Sequence, residues 1–250
     1  MSMKRLLLFG IVSYLVFLCI YAPAQLLGSL LGQLTGNRLG LAAAQGSLWK
    51  GNANLLLNDI DARDPPVDLG KVSWDSQPLQ IFSGRFSVSL SWNEGPPFWI
   101  TLDPSRLHVE HAVFNLNTEF VPLLVPTLKA SQLGGQLAIR CQNFSVTRSE
   151  ILGQIEIDWN QASAPLSTVS PLGSYQVTLE GQGNALDIRV KTQGEGPLIL
   201  QGNGRWSRSE GVHFSGTAES KPASKAQLQE LLRVMGNETP AGSGLYQLRF

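Results

Sequence analysis

Apolar and polar residues alternate along most of this chain, from about Leu41 almost to its end. In residues 86–92, FSVSLSW, a serine separates each apolar residue from the next. A two-residue period places alternate side chains on opposite faces of an extended strand, so it is typical of half-buried antiparallel strands. Further runs lie at residues 137–141, 155–159, 177–179, 186–190 and 246–250. Turn clusters rich in Gly, Pro and Asn separate the runs, and we predict an all-β body.

Three segments interrupt the alternation. Residues 118–131 contain Pro122 and Pro126 within a Leu/Val run, which favours a short helix or a crossing loop, because proline cannot donate to a central ladder. The polar residues 160–172 are predicted to separate two halves of the sheet. Near the end, apolar residues at helical spacing predict one short amphipathic helix, with Ser224 as its N-cap and Gly236 as its terminator.

Two similar runs predict one strand pairing. GQLAIRCQN begins at Gly135, GQIEIDWNQ begins at Gly153, and turn-forming residues lie between them. Because the two runs share the same glycine and the same alternation, we predict that they are neighbouring strands of one hairpin.

The charge of the chain excludes one class of partner. The 250 residues carry 19 Lys and Arg against 19 Asp and Glu. A nucleic-acid binder needs a basic face to displace counterions from phosphates, so no nucleic-acid partner is predicted. With 43% hydrophobic residues and no long run of charge, the chain also carries enough apolar material for a folded core.

The N-terminal region is uncharged after its first two cations. Lys4 and Arg5 are followed by no charged residue until Arg38. Residues 6–22 are mostly apolar and span about 26 Å as a helix, close to the thickness of a bilayer core. They predict a transmembrane helix, and the positive-inside bias places residues 1–5 in the cytoplasm and residues 36–250, the β domain, on the other side. A cleaved signal peptide is the alternative, because residues 22–24, Ala-Pro-Ala, resemble a cleavage site.

A leucine-rich helix is predicted directly after this segment, with Pro23 at its opening position and its end near residue 34. One straight helix over residues 6–34 would be too long for the bilayer, which favours a break near Pro23. Gly28, Gly32 and Gly36 recur every four residues. This spacing is typical either of a packing face for another membrane helix or of a Gly/Leu-rich interfacial helix that ends at Gly36.

Catalytic chemistry has few candidates in this sequence. His108 and His111 lie three residues apart, which puts them on opposite faces of a strand and does not favour a metal pair. Ser47 and Lys50 match an SxxK pattern, but the bracketing glycines and the alternating flanks do not favour the helical turn that its chemistry needs. Neither a metal site nor a cofactor site is predicted. The sequence therefore predicts a mainly β protein, a curved antiparallel sheet or an open barrel or trough, preceded by one transmembrane helix and carrying a short C-terminal helix.

Several motifs of this chain resemble one protein family. Residues 46–51, GSLWKG, resemble the G-x-x-W-x-G motif of protein N of the bacterial type II secretion system, and VSWDSQPLQIFSGRF from Val72 is similar to a second family segment. Residues 171–181, 196–206 and 232–250 extend the similarity over nearly the whole chain. The residues that carry these motifs, with a structural or partner-binding role, are Gly46, Trp49, Gly51, Trp74, Pro78, Leu79, Gly84, Gly196, Pro197 and Leu198.

The resemblance implies a non-catalytic accessory protein that supports export of folded proteins from the periplasm across the outer membrane. It implies a single-pass protein of the bacterial inner membrane, with its bulk in the periplasm and other secretion proteins as partners. Whether copies of the chain associate is left open. Trp49 and Trp74 fit either a partner surface or core packing. A lipid-handling β-groove protein and an outer-membrane β-barrel with a cleaved signal peptide are the alternative functions.

Overall fold

The computed structural model describes the chain except residues 1–6, 8, 11–12, 15–16, 19, 59–64, 78–79, 81–82, 119–132, 241 and 250. The chain divides into two compact units, Met1–Pro104 and Ser105–Phe250, called unit 1 and unit 2 below. Antiparallel strands dominate both units, so the prediction of a mainly β antiparallel protein is confirmed. The predicted segment at residues 118–131 and the cations Lys4 and Arg5 lie outside the described residues, except Thr118.

Unit 1 consists of one helix followed by an antiparallel meander. Its elements are α1 (Gln25–Leu34), β1 (Leu39–Gly46), β2 (Lys50–Leu57), β3 (Val67–Ser76), β4 (Phe86–Trp92) and β5 (Phe98–Leu102). Each strand pairs with the next one along the chain. The register places Trp74 opposite Leu90 and Leu90 opposite Phe98, so these apolar residues share one face of the sheet.

The core of unit 1 lies between α1 and this apolar face. Ala24, Ala53 and Trp74 are its buried residues, and Leu27 of α1 and Leu41 of β1 pack against them. Burying the Trp74 ring and the surrounding aliphatic side chains removes apolar surface from water, which is the main favourable contribution to folding. The helix therefore stabilises unit 1 by covering one end of its sheet.

Unit 2 contains the longer strands. Its elements are β6 (Arg106–Glu110), β7 (Ala112–Asn117), β8 (Gly134–Thr147), β9 (Ile151–Ser163), β10 (Gly173–Gly183), β11 (Ala185–Gln193), β12 (Leu198–Ser207), β13 (Gly211–Ser220), α2 (Lys225–Met235), β14 (Asn237–Glu238) and β15 (Leu245–Arg249). The strands lie in the order β6, β8, β9, β10, β11, β12, β13, β15, β14, and β7 also pairs with β8. The predicted pairing of the runs from Gly135 and Gly153 is confirmed, because β8 and β9 form a hairpin.

The sheet of unit 2 curves strongly at one end. Arg208, in the turn between β12 and β13, donates from Nη1 to the carbonyl of Arg148 and from Nη2 to that of Thr147, in the turn between β8 and β9. These two turns are four strand positions apart, about 19 Å in a flat sheet. One arginine side chain joins them, which requires the sheet to curl.

Helix α2 covers the apolar face of unit 2 near the opposite ends of the strands. Leu228, Leu231 and Leu232 are buried against residues that include Leu198 and Tyr246. The predicted C-terminal amphipathic helix is therefore confirmed. Residues 164–172 connect β9 to β10, and these two strands pair with each other.

One predicted helix start is wrong, and the two predicted caps of α2 stand at the expected positions. Helix α1 begins at Gln25, and Pro23 instead forms an isolated bridge with Ser47. Ser224 stands before α2, but its side chain makes no capping hydrogen bond because it ends a short 3-10 turn. Gly236 ends α2 as its C-cap, with an extended φ of −176°, and a Cβ there would lie 2.2 Å from the carbonyl oxygen of Gln247 in β15.

The predicted membrane segment at residues 6–22 is described only in part. Among the residues that the structure describes, no helix is both long enough and apolar enough to cross a membrane.

Candidate functional site: a glycine–tryptophan turn and a polar sheet face

The motif at residues 46–51 forms the tight turn between β1 and β2. The amide of Ser47 donates to the carbonyl of Lys50 at 2.8 Å. The Ser47 hydroxyl oxygen accepts from the amides of Trp49 and Lys50 at 3.3 and 3.1 Å. A serine side chain that satisfies backbone amides in this way stabilises a turn. We call residues 46–51 the hairpin turn.

Backbone and ring atoms lie so close to both glycines of the hairpin turn that no side chain fits at either position. Gly46 has φ +93°, and a Cβ there would lie 2.4 Å from the carbonyl oxygen of Lys50. A Cβ on Gly51 would lie 2.3 Å from the carbonyl oxygen of Gln45 and 2.7 Å from Cζ2 of Trp74. Neither space admits a side chain, so the turn and the tryptophan ring can pack only as they do with glycine at both positions.

The two motif tryptophans lie inside unit 1. Trp49 and Trp74 are 8% and 6% exposed. The indole N–H of Trp74 donates to the carbonyl of Ser47 at 3.1 Å. The carbonyl of Trp49 accepts from the amide and the hydroxyl of Ser76 at 2.7 and 3.0 Å, and the Trp49 ring contacts that of Phe86 with centroids 6.5 Å apart. These contacts join the hairpin turn to β3 and β4.

The hairpin turn also holds the start of α1. The amide of Leu48 donates to the carbonyl of Ala22 at 2.8 Å, and the amide of Ala24 donates to the carbonyl of Gly46 at 3.2 Å. These bonds flank the isolated bridge between Pro23 and Ser47 and place the residues that precede α1 beside the turn. The position of α1 is therefore fixed to the sheet by the motif.

The other family-motif residues of unit 1 lie in an exposed turn or outside the described part of the chain. Gly84 is exposed with φ +72°, and a Cβ there would contact nothing within 4 Å. Pro78 and Leu79 lie outside the described residues.

In unit 2 the motif residues Gly196, Pro197 and Leu198 stand at the start of β12. A Cβ on Gly196 would lie 2.7 Å from the Cα of Gly173. The carbonyl of Pro197 accepts from the amide of Lys221 at 2.9 Å. Leu198 is 2% exposed in the core beneath α2. Gly46 and Gly51 in unit 1 and Gly196 in unit 2 thus lie where backbone segments pass close together.

The side chain of Tyr175 supports this part of the core. Its hydroxyl lies within hydrogen-bond distance of the carbonyls of Leu198, at 3.0 Å, and Leu172, at 3.2 Å. Burial raises the pKa of Tyr175, because the phenolate form would lose its hydration.

The glycines of α1 face their own sheet. A Cβ on Gly28 would lie 3.5 Å from the Cβ of Leu41, and Gly32 is buried with Oδ1 of Asn37 3.1 Å from its Cβ position. Gly36 follows the helix with φ +61°, the left-handed conformation usual just after a C-cap. In unit 1, α1 therefore packs on β1 at Gly28, at a distance where an added methyl group would make ordinary van der Waals contact.

One face of strands β2 to β5 carries mainly polar side chains together with one exposed tryptophan. Facing away from the core are Lys50, Asn52, Asn54, Lys71, Ser73, Asp75, Ser87, Ser89, Ser91, Trp99 and Thr101; we call these residues the polar face. Trp99 is 48% exposed and lines a groove of about 340 Å³ together with Asp75, Gln77 and Ser89. An exposed tryptophan among small polar side chains is typical of a binding surface.

Sequence reasoning missed Trp99. The segment Phe98-Trp99-Ile100 places apolar residues on both faces of β5. The serines opposite Trp99, spaced by two in β4, were the available signal, because a strand with a polar face should not carry a large aromatic ring on it without a reason.

The sequence candidates for catalysis are separated in the structure. His108 lies in β6 with its Nε2 3.1 Å from Oε1 of Glu110, whereas His111 follows the strand with φ +51°. Ser47 and Lys50 lie in a turn, and Nζ of Lys50 pairs with Oδ2 of Asp75 at 2.6 Å. Within the described part of the chain, no group of three His, Cys, Asp or Glu residues is arranged to hold a metal ion.

A buried carboxylate links four strands on the polar side of unit 2. Asp158 of β9 is 7% exposed. It accepts hydrogen bonds from Arg140 of β8, from Gln176 of β10 at 3.1 Å and from Gln193 of β11 at 3.0 Å. A buried carboxylate costs free energy unless it is hydrogen-bonded and paired, and here the neighbouring strands supply all three donors.

Comparison with known proteins identifies one family. Residues 37–249 match the family described as type II secretion system (T2SS), protein N. Neither the curated proteins nor the solved structures gave a significant match.

Proposed function

The chain belongs to the protein N family of the type II secretion system, and from this premise we propose that it is a non-catalytic accessory component of that system. In this role it supports the export of folded proteins from the periplasm across the outer membrane. The observation that carries the proposal is the family match over residues 37–249, which includes the hairpin turn, the polar face and nearly all of unit 2.

We further propose that residues 6–22 anchor the chain in the inner membrane and that the two units lie in the periplasm. The support is the uncharged apolar sequence behind Lys4 and Arg5. N-terminal sequencing of the protein from separated inner and outer membranes tests this topology. An intact N-terminus in the inner-membrane fraction is expected. A mature chain that starts near Gln25 in the outer membrane would contradict it.

The polar face of unit 1 is the surface that we propose contacts another secretion protein. Interface centres are enriched in tryptophan, and the 48% exposed ring of Trp99 offers apolar area beside the hydrogen-bonding groups of Asp75, Gln77 and Ser89. A partner that covers Trp99 would bury its ring and replace the water in the groove with direct hydrogen bonds. Strand addition at a sheet edge is a second mode of contact that an antiparallel meander offers.

Photocrosslinking in cells with the complete secretion apparatus tests this contact. A photoreactive amino acid at Ser89, which faces the same side as Trp99, is expected to give adducts with another secretion protein. Glu210, an exposed residue of unit 2 in the turn between β12 and β13, is the control position and is expected to give few adducts. Background adducts alone at Ser89, or equal yields at Ser89 and Glu210, would contradict the proposed contact.

A further inference from the structure

Helix α1 has three sectors of different character, although its sequence contains only Gln, Leu, Gly and Ser. Successive residues turn by about 100° around the axis. The sector that includes Leu27, Gly28, Leu31 and Gly32 faces the sheet. The exposed half divides into a polar sector, with Gln25, Ser29 and Gln33, and an apolar sector, with Leu26, Leu30 and Leu34. We call the last three residues the leucine stripe.

The leucine stripe is exposed in the described structure. Leu26, Leu30 and Leu34 have exposed fractions of 46%, 49% and 85%. Three leucines in a row along one helix are more apolar surface than an isolated exposed leucine, and the core of unit 1 does not use them. Their position indicates a contact beyond unit 1.

Hydrogen bonds at both ends fix the direction of this stripe. At the start, Ala22 and Ala24 bond to the hairpin turn. At the end, the hydroxyl of Thr35 donates to the carbonyl of Leu31 at 2.7 Å and accepts from the amide of Leu39 at 3.1 Å. The stripe therefore points in one direction relative to the strands of unit 1.

The surrounding sequence indicates what the stripe contacts. No Asp, Glu, Lys or Arg occurs from residue 6 to residue 37, so the stripe continues an uncharged apolar segment that begins after Lys4 and Arg5 and ends before Arg38. Tyr14, Phe17 and other side chains of that segment are also exposed. An amphipathic helix next to an anchor, with an apolar sector and an uncharged polar sector, suits the boundary between headgroups and acyl chains.

We propose that α1 lies in the outer boundary of the phospholipid bilayer with its leucine stripe among the acyl chains and its Gln/Ser sector toward water. This inference rests on the proposed membrane anchor. It assigns a second role to the hairpin turn, which holds the helix to the sheet and thereby sets the orientation of unit 1 on the membrane surface.

The test measures the depth of two neighbouring positions on the same helix. The full chain carrying Cys19→Ser is reconstituted in vesicles of phosphatidylethanolamine and phosphatidylglycerol, and an environment-sensitive fluorophore is attached at Leu30→Cys or at Ser29→Cys. The remaining native thiol, Cys141, is buried, and the Cys19→Ser chain alone reports any labelling of it. Nitroxide lipids are expected to quench the Leu30→Cys probe at least about twofold more than the Ser29→Cys control.

A third probe, at Tyr14→Cys, separates this inference from its premise. Quenching at Tyr14→Cys with equal, weak quenching at Leu30→Cys and Ser29→Cys would retain the anchor and overturn the interfacial position of α1. No quenching at any position would overturn the anchor and the inference together. Disulfide crosslinking between two Leu30→Cys chains, without quenching by nitroxide lipids, would also overturn the interfacial position of α1. It would assign the leucine stripe to a contact with a second copy of the chain.

Discussion

At the scale of single residues, the hairpin turn depends on two glycines, Gly46 and Gly51, that carry no Cβ atom. Gly51 has no Cβ, so the Trp74 ring lies against the backbone of β2 and its indole N–H reaches the carbonyl of Ser47. Gly46 adopts a left-handed φ for which L side chains are strained. The motif is thus a requirement for close packing, and its tryptophans contribute buried surface and the hydrogen bond from the Trp74 indole to unit 1.

Substituting Gly51 tests this requirement. Gly51→Ala should lower the free energy of unfolding by about 1–3 kcal/mol, because the new methyl group would overlap the Trp74 ring and a backbone carbonyl. Gly40→Ala in β1 is the control, since its nearest neighbour would be 3.8 Å away, and it should change stability by less than about 0.5 kcal/mol. Urea unfolding of the detergent-solubilised full chain, followed by tryptophan fluorescence, measures both, and equal effects would refute the packing requirement.

The buried Tyr175 predicts a dependence on alkaline pH. Its pKa is raised in the folded chain, so the stability that it contributes is intact below about pH 10, the ordinary pKa of tyrosine, and falls as the pH rises above that value toward the folded-state pKa. Tyr175→Phe should remove this part of the alkaline loss while lowering stability at pH 7, because the carbonyls of Leu172 and Leu198 lose their donor. The midpoints of urea unfolding at pH 7 and above pH 10, for the wild-type chain and for Tyr175→Phe, measure this dependence on pH. An equal alkaline loss of stability in the two chains would contradict its assignment to Tyr175.

At the scale of secondary-structure elements, polar side chains connect strands that are distant in sequence. Asp158 receives donors from β8, β10 and β11, so one carboxylate links four neighbouring strands. A register shift of one residue in any of these strands would move its donor to the opposite face. The network therefore favours the observed register in addition to the alternation of apolar residues.

Removing Arg140, the cation of this network, should lower the free energy of unfolding more than removing an exposed arginine. Arg140→Met leaves the buried Asp158 carboxylate with two amide donors and should destabilise the chain by about 1–3 kcal/mol. Arg189→Met, which breaks an exposed pair with Glu180 on the same sheet, is the matched control and should change stability by less than about 0.5 kcal/mol. Chemical unfolding of the two variants side by side is the measurement, and a loss at Arg189→Met as large as at Arg140→Met would argue against a special role for Asp158.

The elements that the sequence predicted well are those set by local periodicity. The strands at residues 86–92 and 186–190 and the β8–β9 hairpin follow from alternation and turn residues alone. Contacts that depend on the curvature of the sheet could not be predicted in this way, because Arg208 and Arg148 are 60 residues apart. The exposure of Trp99 required the register of β4 and β5, which the spacing of apolar residues does not give.

At the scale of the whole molecule, the region that matches the protein N family lies in both units. The family match covers residues 37–249, and each unit has motif glycines at close backbone contacts, Gly46 and Gly51 in unit 1 and Gly196 in unit 2. In the described part of unit 1, the polar face with Trp99 and the leucine stripe of α1 are the two surfaces that we propose for partners. We therefore expect the protein to act through binding, with the membrane on one side of unit 1 and a secretion protein on another.

The most direct test of this claim is co-purification of the full chain from detergent-solubilised membranes of cells that carry the complete secretion apparatus. The wild-type chain should retain at least one other secretion protein, and Trp99→Ala should lose it while keeping its urea midpoint within the range of wild type. A wild-type chain that purifies without any other secretion protein would contradict the account.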